Sequence, residues 1–158
     1  MKHDDPEMSA AKARALRILG NRSISTRELE KRLVDKGEDA ETARETVEWL
    51  ENLGLMNDAE YAAMIVRHYS AKGYGLRRIK DELGRRGIAR DMWDDALSEL
   101  SESDGMDETA LRFLEKKLRG SRDKDDLKRA SDALCRRGFS YDEARRALNR
   151  YLENIDET

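Results

Sequence analysis

The sequence contains few residues that interrupt helices or cross-link a fold. Its 158 residues include one proline, Pro6, and one cysteine, Cys135. A lone cysteine excludes an internal disulfide framework and a paired-cysteine metal or redox site, and it is the usage typical of a reducing cytoplasm. No apolar run approaches the ~20 residues of a membrane-spanning helix, and the N-terminus lacks the apolar stretch of a signal peptide. We therefore expect a cytoplasmic, helix-rich protein without a membrane segment.

Residues typical of enzyme active sites are also scarce. The two histidines, His3 and His68, lie far apart in the sequence, and no P-loop motif is present. The Gly-Tyr-Gly segment at 73–75 has no predicted strand before it, so it does not fit a dinucleotide-binding loop and is interpreted as a turn between helices. We predict that the chain is not an enzyme and that it uses no cofactor or metal.

The overall charge excludes one further class of function. Charged residues make up 41% of the chain, but 31 basic residues oppose 34 acidic ones, which leaves a net charge of −3. A chain of net negative charge is not a general binder of polyanions. Any attraction to nucleic acid must therefore be local.

The sequence does contain an internal repeat, marked by Gly37, Gly87 and Gly138. Each of these glycines is the last residue of a similar sequence segment, which we call a repeat phrase: LEKRLVDKG, IKDELGRRG and ASDALCRRG. Mainly apolar residues recur eleven, eight and four positions before each glycine, which is the rhythm of one stripe on an amphipathic helix. A basic residue directly precedes each glycine, as is typical of the last turn of a helix. Each glycine is therefore predicted to form the turn that ends a helix.

Two further helices are predicted around each repeat phrase, one before it and one after it. Ser25, Asn57 and Ser140 each lie three residues before a glutamate, which is the spacing of a capping box at a helix start. The predicted fold class is all-α, with three tandem three-helix repeats that form an elongated, curved array. The predicted ranges are a flexible N-terminal tail at 1–10, repeats at 11–54, 55–100 and 104–153, a turn-rich junction at 101–105, and an acidic C-terminal tail at 154–158.

The middle repeat differs from its neighbours in charge. Residues 67–90 hold eight basic and two acidic side chains, a net charge of +6, whereas residues 91–126 hold twelve acidic and six basic ones. We predict that the basic stretch binds a partner; the alternative is a solvated face whose charges pair with one another. The candidate partner-binding residues are Arg67, Lys72, Tyr74, Arg77, Arg78, Lys80, Arg85 and Arg86, and the candidate turn glycines are Gly37, Gly73, Gly75, Gly87 and Gly138.

A helical wheel divides the second helix of this repeat into an apolar face and a charged face that points to solvent. The apolar face holds Leu76, Ile79 and Leu83, and the charged face holds Arg78, Glu82 and Arg85.

Residues 54–88, GLMNDAEYAAMIVRHYSAKGYGLRRIKDELGRRGI, resemble the signature segment of the RecX family of bacterial regulatory proteins. Residues 15–37 are similar to the first unit of that family, and the resemblance covers residues 11–153. It implies a modulator of the RecA recombinase, built of tandem three-helix units, that lies in the groove of the RecA filament on single-stranded DNA. Such a protein would restrain filament growth, ATP hydrolysis, strand exchange and cleavage of the SOS repressor. Leu55 stands where the family commonly has a tyrosine.

From these features we expect a monomeric, non-enzymatic inhibitor of RecA filaments in DNA repair and the SOS response, and the sequence leaves open whether it also binds DNA weakly. Two alternatives remain open from the sequence. One is a helical module that binds DNA without a protein partner, and the other is a scaffold that binds neither RecA nor DNA.

Overall fold

The computed structural model describes residues 5–102 and 105–157, and in those residues it is helical without any strand. This confirms the predicted all-α class. None of the helices in the described ranges is long and apolar enough to span a bilayer. The helices are α1 (Pro6–Leu19), α2 (Thr26–Asp35), α3 (Ala40–Asn52), α4 (Asp58–Ala71), α5 (Leu76–Arg85), α6 (Trp93–Glu102), α7 (Gly105–Leu118), α8 (Lys124–Arg136) and α9 (Tyr141–Asp156), with one 3₁₀ turn at Arg90–Met92 before α6.

The second helix of each repeat ends in a turn that needs glycine. Gly37, Gly87 and Gly138 have φ angles of 110°, 80° and 103°. Side chains crowd the backbone in this left-handed region, which glycine enters freely. After α8, the Phe139 N–H donates to the carbonyl of Leu134 at 3.1 Å, which satisfies one of the carbonyls left unpaired at a helix end.

Both ends of the described chain are more helical than the sequence analysis predicts. Helix α1 begins at Pro6, because the Asp5 carboxylate accepts the Met8 N–H at 2.7 Å and a proline is well accommodated in a first turn. Residues 6–10 are therefore helix rather than tail. Helix α9 likewise continues to Asp156, within the range assigned to the acidic C-terminal tail.

The predicted junction at 101–105 is also shorter than expected. Helix α6 continues through Glu102, and α7 starts at Gly105. Ser103 and Asp104 lie outside the described residues, as do the first four residues of the predicted N-terminal tail and Thr158 of the C-terminal one.

The first of two compact units extends to Ala62 and includes Gly84–Met92. In this unit α1 packs on α2 and α3, and α2 packs on α3. The Asp58 carboxylate binds the start of α2, where it accepts the Thr26 N–H at 3.0 Å and the Thr26 hydroxyl at 2.7 Å. The buried core consists of Ala15, Ile24, Leu29, Leu33, Ala43, Val47, Leu50 and Met56.

The second unit comprises Ala63–Leu83 and the chain from Trp93 onward. Here α7 packs on α6, α8 and α9, and α8 packs on α9. Two ion pairs also link α9 to α7: Arg146 to Asp107 at 3.2 Å, and Arg150 to Glu108 at 3.0 Å. The buried core consists of Ala110, Leu111, Leu114, Leu118, Ala130, Leu134, Phe139, Ala144, Ala147 and Tyr151.

Each unit contains a close approach of backbone between successive repeats at a glycine. In the first unit, a Cβ added at Gly87 would lie 2.7 Å from the Oγ of Ser25, the N-cap of α2. In the second unit, a Cβ added at Gly75, just before α5, would lie 2.4 Å from the carbonyl carbon of Gly138. Ser25 and Gly75 occupy equivalent positions, twelve residues before the closing glycine of their own repeats. The closing glycine of one repeat thus packs against the start of the second helix of the repeat before it.

Candidate functional site

The predicted basic residues lie in several different environments. Arg67 and Lys72 line a groove in the second unit, where Arg77 and Arg78 instead contact other residues of the unit. Arg85 and Arg86 line a pocket in the first unit. Lys80 is exposed on α5.

Arg77 is exposed but is held at a helix end. Its Nη2 donates to the carbonyl of Cys135 at 2.7 Å, near the C-terminus of α8, and its backbone N–H donates to the Gly138 carbonyl at 3.1 Å. The last carbonyls of a helix lack intrahelical partners and carry the negative end of its dipole, so a cation at this place stabilises it. Reversing the charge of Arg77 would therefore disturb this contact as well as any binding surface.

The prediction that Glu82 points to solvent is wrong, and Arg78, which was placed on the same charged face, is half-buried. Glu82 is only 3% exposed, and its carboxylate accepts the hydroxyl of Tyr69 at 3.1 Å. The Nε of the half-buried Arg78 lies 3.4 Å from the same carboxylate, although it is not aligned for a hydrogen bond. The positive charge of Arg78 and the hydrogen bond from the Tyr69 hydroxyl together offset the free-energy cost of burying the Glu82 carboxylate. The helical wheel misplaced Glu82 because it considers only the periodicity of α5, whereas Tyr69 reaches this face from α4.

Tyr74 is half-buried beneath two guanidinium groups. The Cζ atoms of Arg78 and Arg137 lie 5.2 Å and 4.6 Å from the centre of its ring, and the ring of Tyr69 lies 5.7 Å away. Cations at such distances are attracted to the electron-rich face of an aromatic ring. The ring of Tyr74 therefore stabilises two cations of its own unit, Arg78 and Arg137.

Arg85 and Arg86 line a small pocket of about 170 Å³ together with Arg22 and Arg32 of the first repeat. The guanidinium of Arg86 donates to the hydroxyl of Tyr61 at 3.2 Å. Arg32 is paired with Glu28 at 3.1 Å, so the positive charge of the pocket is partly neutralised.

A larger groove of about 720 Å³ lies in the second unit, and we call it the basic groove. Among the described residues that line it, five are basic and none is acidic. Four of them, Arg67, Lys72, Arg112 and Lys116, are exposed, and their side chains make no ion pair or hydrogen bond with another described residue. The fifth is Arg137, and the apolar floor includes Val66, Leu100 and Phe113.

Arg137 fixes one end of the basic groove. Its Nη2 donates to the carbonyl of Lys72 at 2.7 Å, and its Nε donates to the carbonyl of Gly73 at 3.2 Å. These carbonyls directly follow α4. Arg137, which is itself the C-cap residue of α8, therefore also caps the C-terminal end of α4. Its guanidinium also lies 5.2 Å from the ring centre of Phe113.

Sequence reasoning missed Arg112, Lys116 and Phe113, because they lie in the stretch 91–126 where acidic residues predominate. The structure separates these charges: Asp107 and Glu108 of α7 pair with α9, whereas Arg112 and Lys116 line the groove. The available signal was the spacing of four between Arg112 and Lys116, which puts both on one face of α7. The net charge summed over a long stretch of sequence does not reveal a basic face on one helix within it.

The chain matches three family models in order along its length. They are described as RecX, first three-helix domain, at residues 11–50; second three-helix domain, at 57–97; and third three-helix domain, at 106–148. The match confirms three three-helix repeats.

Relatives with the name Regulatory protein RecX cover most of the chain. The protein of Xanthomonas campestris pv. campestris is 34% identical over 143 residues, which are 89% of this chain and 87% of the relative. The protein of Pseudomonas putida is 34% identical over 142 residues, 89% of this chain and 90% of the relative. Among solved structures, RecX from Lactobacillus salivarius aligns with a TM-score of 0.80 and 23% identity over 96% of this chain and 98% of that one. This structural likeness concerns the fold.

Proposed function

Because this chain belongs to the RecX family, we propose that it is a non-enzymatic regulator that binds the RecA filament on single-stranded DNA and inhibits its recombinase, ATPase and coprotease activities. The observation that carries the proposal is the match to all three RecX domains, in order, over residues 11–148. The name of the relatives supports a regulatory role, and the link to RecA comes from the family resemblance.

The proposed mechanism is steric and electrostatic. The bound protein would obstruct the filament sterically, and the basic groove would attract an acidic surface of it. Such attraction is local, since the chain as a whole carries a net charge of −3. The exposed groove cations, which pair with no other described residue, are better candidates for this contact than Arg77 and Arg78, whose guanidinium groups contact residues of their own unit.

The first test is inhibition of the DNA-dependent ATPase of RecA by the purified full chain, together with co-sedimentation on filaments formed with an ATP analogue. We expect inhibition and co-sedimentation by the wild-type chain. We expect Arg67→Glu/Lys72→Glu to weaken inhibition by about tenfold or more, because two groove cations become anions. Lys124→Glu/Lys128→Glu is the matched control, since it changes the net charge equally on the exposed side of α8, outside the groove.

Two results would contradict the proposal. One is a wild-type chain that neither binds filaments nor slows ATP hydrolysis. The other is tight binding to DNA without RecA at ~150 mM salt, which would favour the stand-alone DNA-binding module.

A further inference from the structure

The basic groove has the charge of an anion-binding site but not the surface of a simple phosphate site. Arg112 and Lys116 lie one turn apart on α7. The other two exposed cations come from an earlier part of the chain: Arg67 lies on α4, and Lys72 directly follows it. Such cations suit carboxylates that are spaced along a peptide. Because none of the four is paired with another described side chain, a ligand would not have to displace an internal partner.

The floor of the groove is apolar. Val66, Leu100 and Phe113 contribute to it, and the volume of about 720 Å³ is within the range of pockets that enclose several ligand groups. A purely acidic ligand would leave this floor in contact with water. An aliphatic or aromatic side chain placed there would bury apolar surface, which is favourable.

The aromatic ring of the groove is poorly suited to stack on a nucleic acid base. The ring of Phe113 already has the guanidinium of Arg137 at 5.2 Å and the ammonium of Lys117 at 5.9 Å from its centre. Proteins that bind single strands commonly combine basic residues with open aromatic faces.

We propose that the basic groove binds an acidic peptide segment of a partner protein, with carboxylates on Arg112, Lys116, Arg67 and Lys72 and one apolar side chain on the floor. This inference rests on the proposed function in one respect: it takes the partner to be a protein. It adds the chemistry of the segment that the partner must offer.

The experiment measures fluorescence anisotropy of labelled probes titrated with the full chain. One probe is a synthetic peptide in which Asp and Glu alternate with Leu, a second replaces each Leu by Ser, and a third is an oligothymidylate. We expect the first probe to bind at least about tenfold more tightly than the second, since only the first fills the floor. We expect it also to bind more tightly than the oligothymidylate.

Arg112→Glu/Lys116→Glu should weaken binding of the Leu-containing peptide by at least about tenfold. Lys124→Glu/Lys128→Glu, with the same spacing and charge change on α8, should alter it by less than about twofold. Arg112→Gln/Lys116→Gln removes the charges without adding acids to α7, so it keeps the test valid if the reversed variant is unstable.

The inference is overturned if both groove variants bind the Leu-containing peptide as the wild type does, or if the Ser-containing peptide binds equally well. Tighter binding of the oligothymidylate, lost in the same variants, would make the groove a nucleic-acid site instead. Filament co-sedimentation of the wild-type chain separates the two proposals. Co-sedimentation without peptide binding refutes the groove assignment alone, and peptide binding without co-sedimentation refutes the RecA assignment alone.

Discussion

At the scale of single residues, Gly75 shows how closely two repeats approach one another. Its N–H donates to the carbonyl of Arg137 at 2.8 Å, and it is buried. A side chain at this position would collide with backbone atoms of Gly138 and Phe139 at 2.4 to 2.6 Å. Backbone cannot rotate away as a side chain can, so the position requires glycine for reasons of space.

Gly75→Ala should therefore destabilise the second unit by at least ~2 kcal/mol, the scale of an overpacked core. The measurement is urea unfolding, combined with hydrogen exchange of the Arg77 amide, which should lose protection because its bond to the Gly138 carbonyl is disturbed. Gly20→Ala is the control: Gly20 has a φ of −63°, and the nearest atom to an added Cβ is at 3.4 Å. That variant should change stability by less than about 1 kcal/mol. Equal stability of the two variants would contradict the steric argument.

At the scale of helices, the starts are fixed by side chains that accept backbone N–H groups. Ser140 at α9 makes the complete capping box: its hydroxyl accepts the Glu143 N–H at 3.1 Å, and the Glu143 carboxylate accepts the Ser140 N–H at 2.7 Å. At Ser25 and Asn57 the side chain likewise accepts the N–H three residues on. These spacings are local, which is why the sequence predicted them.

Ser140→Ala should lower the free energy of unfolding by about 1 kcal/mol, because it leaves the Glu143 backbone N–H without its side-chain acceptor. Ser140→Thr keeps the hydroxyl and should retain most of the stability. Thermal unfolding by circular dichroism would measure both variants. An alanine variant as stable as the wild type would show that the cap contributes little here.

The cap of α3 adds a dependence on pH. The Asp39 carboxylate accepts the Thr42 backbone N–H and the Thr42 hydroxyl. These two hydrogen bonds, of which the backbone one has the larger effect, lower the pKa of Asp39 below its ordinary value of 3.8. A lowered pKa in the folded state means that the charged cap stabilises the fold above the unfolded pKa, and that this contribution is lost as the pH falls through the folded value.

An NMR titration of the Asp39 carboxyl carbon should therefore give a midpoint below 3.8. The stability difference between the wild type and Asp39→Asn, which can still cap but carries no charge, should disappear as the pH falls through that midpoint. A midpoint at or above 3.8 would contradict the cap as the cause.

Local patterns predicted the helices and their turns, but not which charged residues are buried or paired. The stripe of Ile79 and Leu83 on α5 is buried as expected. The burial of Glu82 depends on Tyr69, thirteen residues earlier, and the role of Arg137 depends on carbonyls more than sixty residues earlier. Contacts over such distances have no periodic signal in a single sequence, so the basic groove could be predicted only on its α4 side.

At the scale of the whole molecule, charge is abundant but mostly balanced, and binding through the basic groove should depend on a few cations. We expect binding of the Leu-containing acidic peptide to weaken as salt rises, because exposed charges are screened. Arg112→Glu/Lys116→Glu should reduce the slope of affinity against salt as well as the affinity. An unchanged slope would mean that the attraction arises from other cations.

The contact between successive repeats is asymmetric, because the later repeat contributes its closing glycine and the earlier repeat contributes the start of its second helix. A closing glycine, Gly87 or Gly138, meets a small residue, Ser25 or Gly75, at the start of the preceding repeat's second helix. In the third repeat the equivalent position holds Asp126, which is already inside α8 and accepts bonds from Ser121 and Arg129. A fourth copy joined after the third would meet a carboxylate and an extra helical turn where its glycine needs an open backbone. Anyone extending this array by design would have to shorten α8 and replace Asp126 with glycine or serine before another copy could dock.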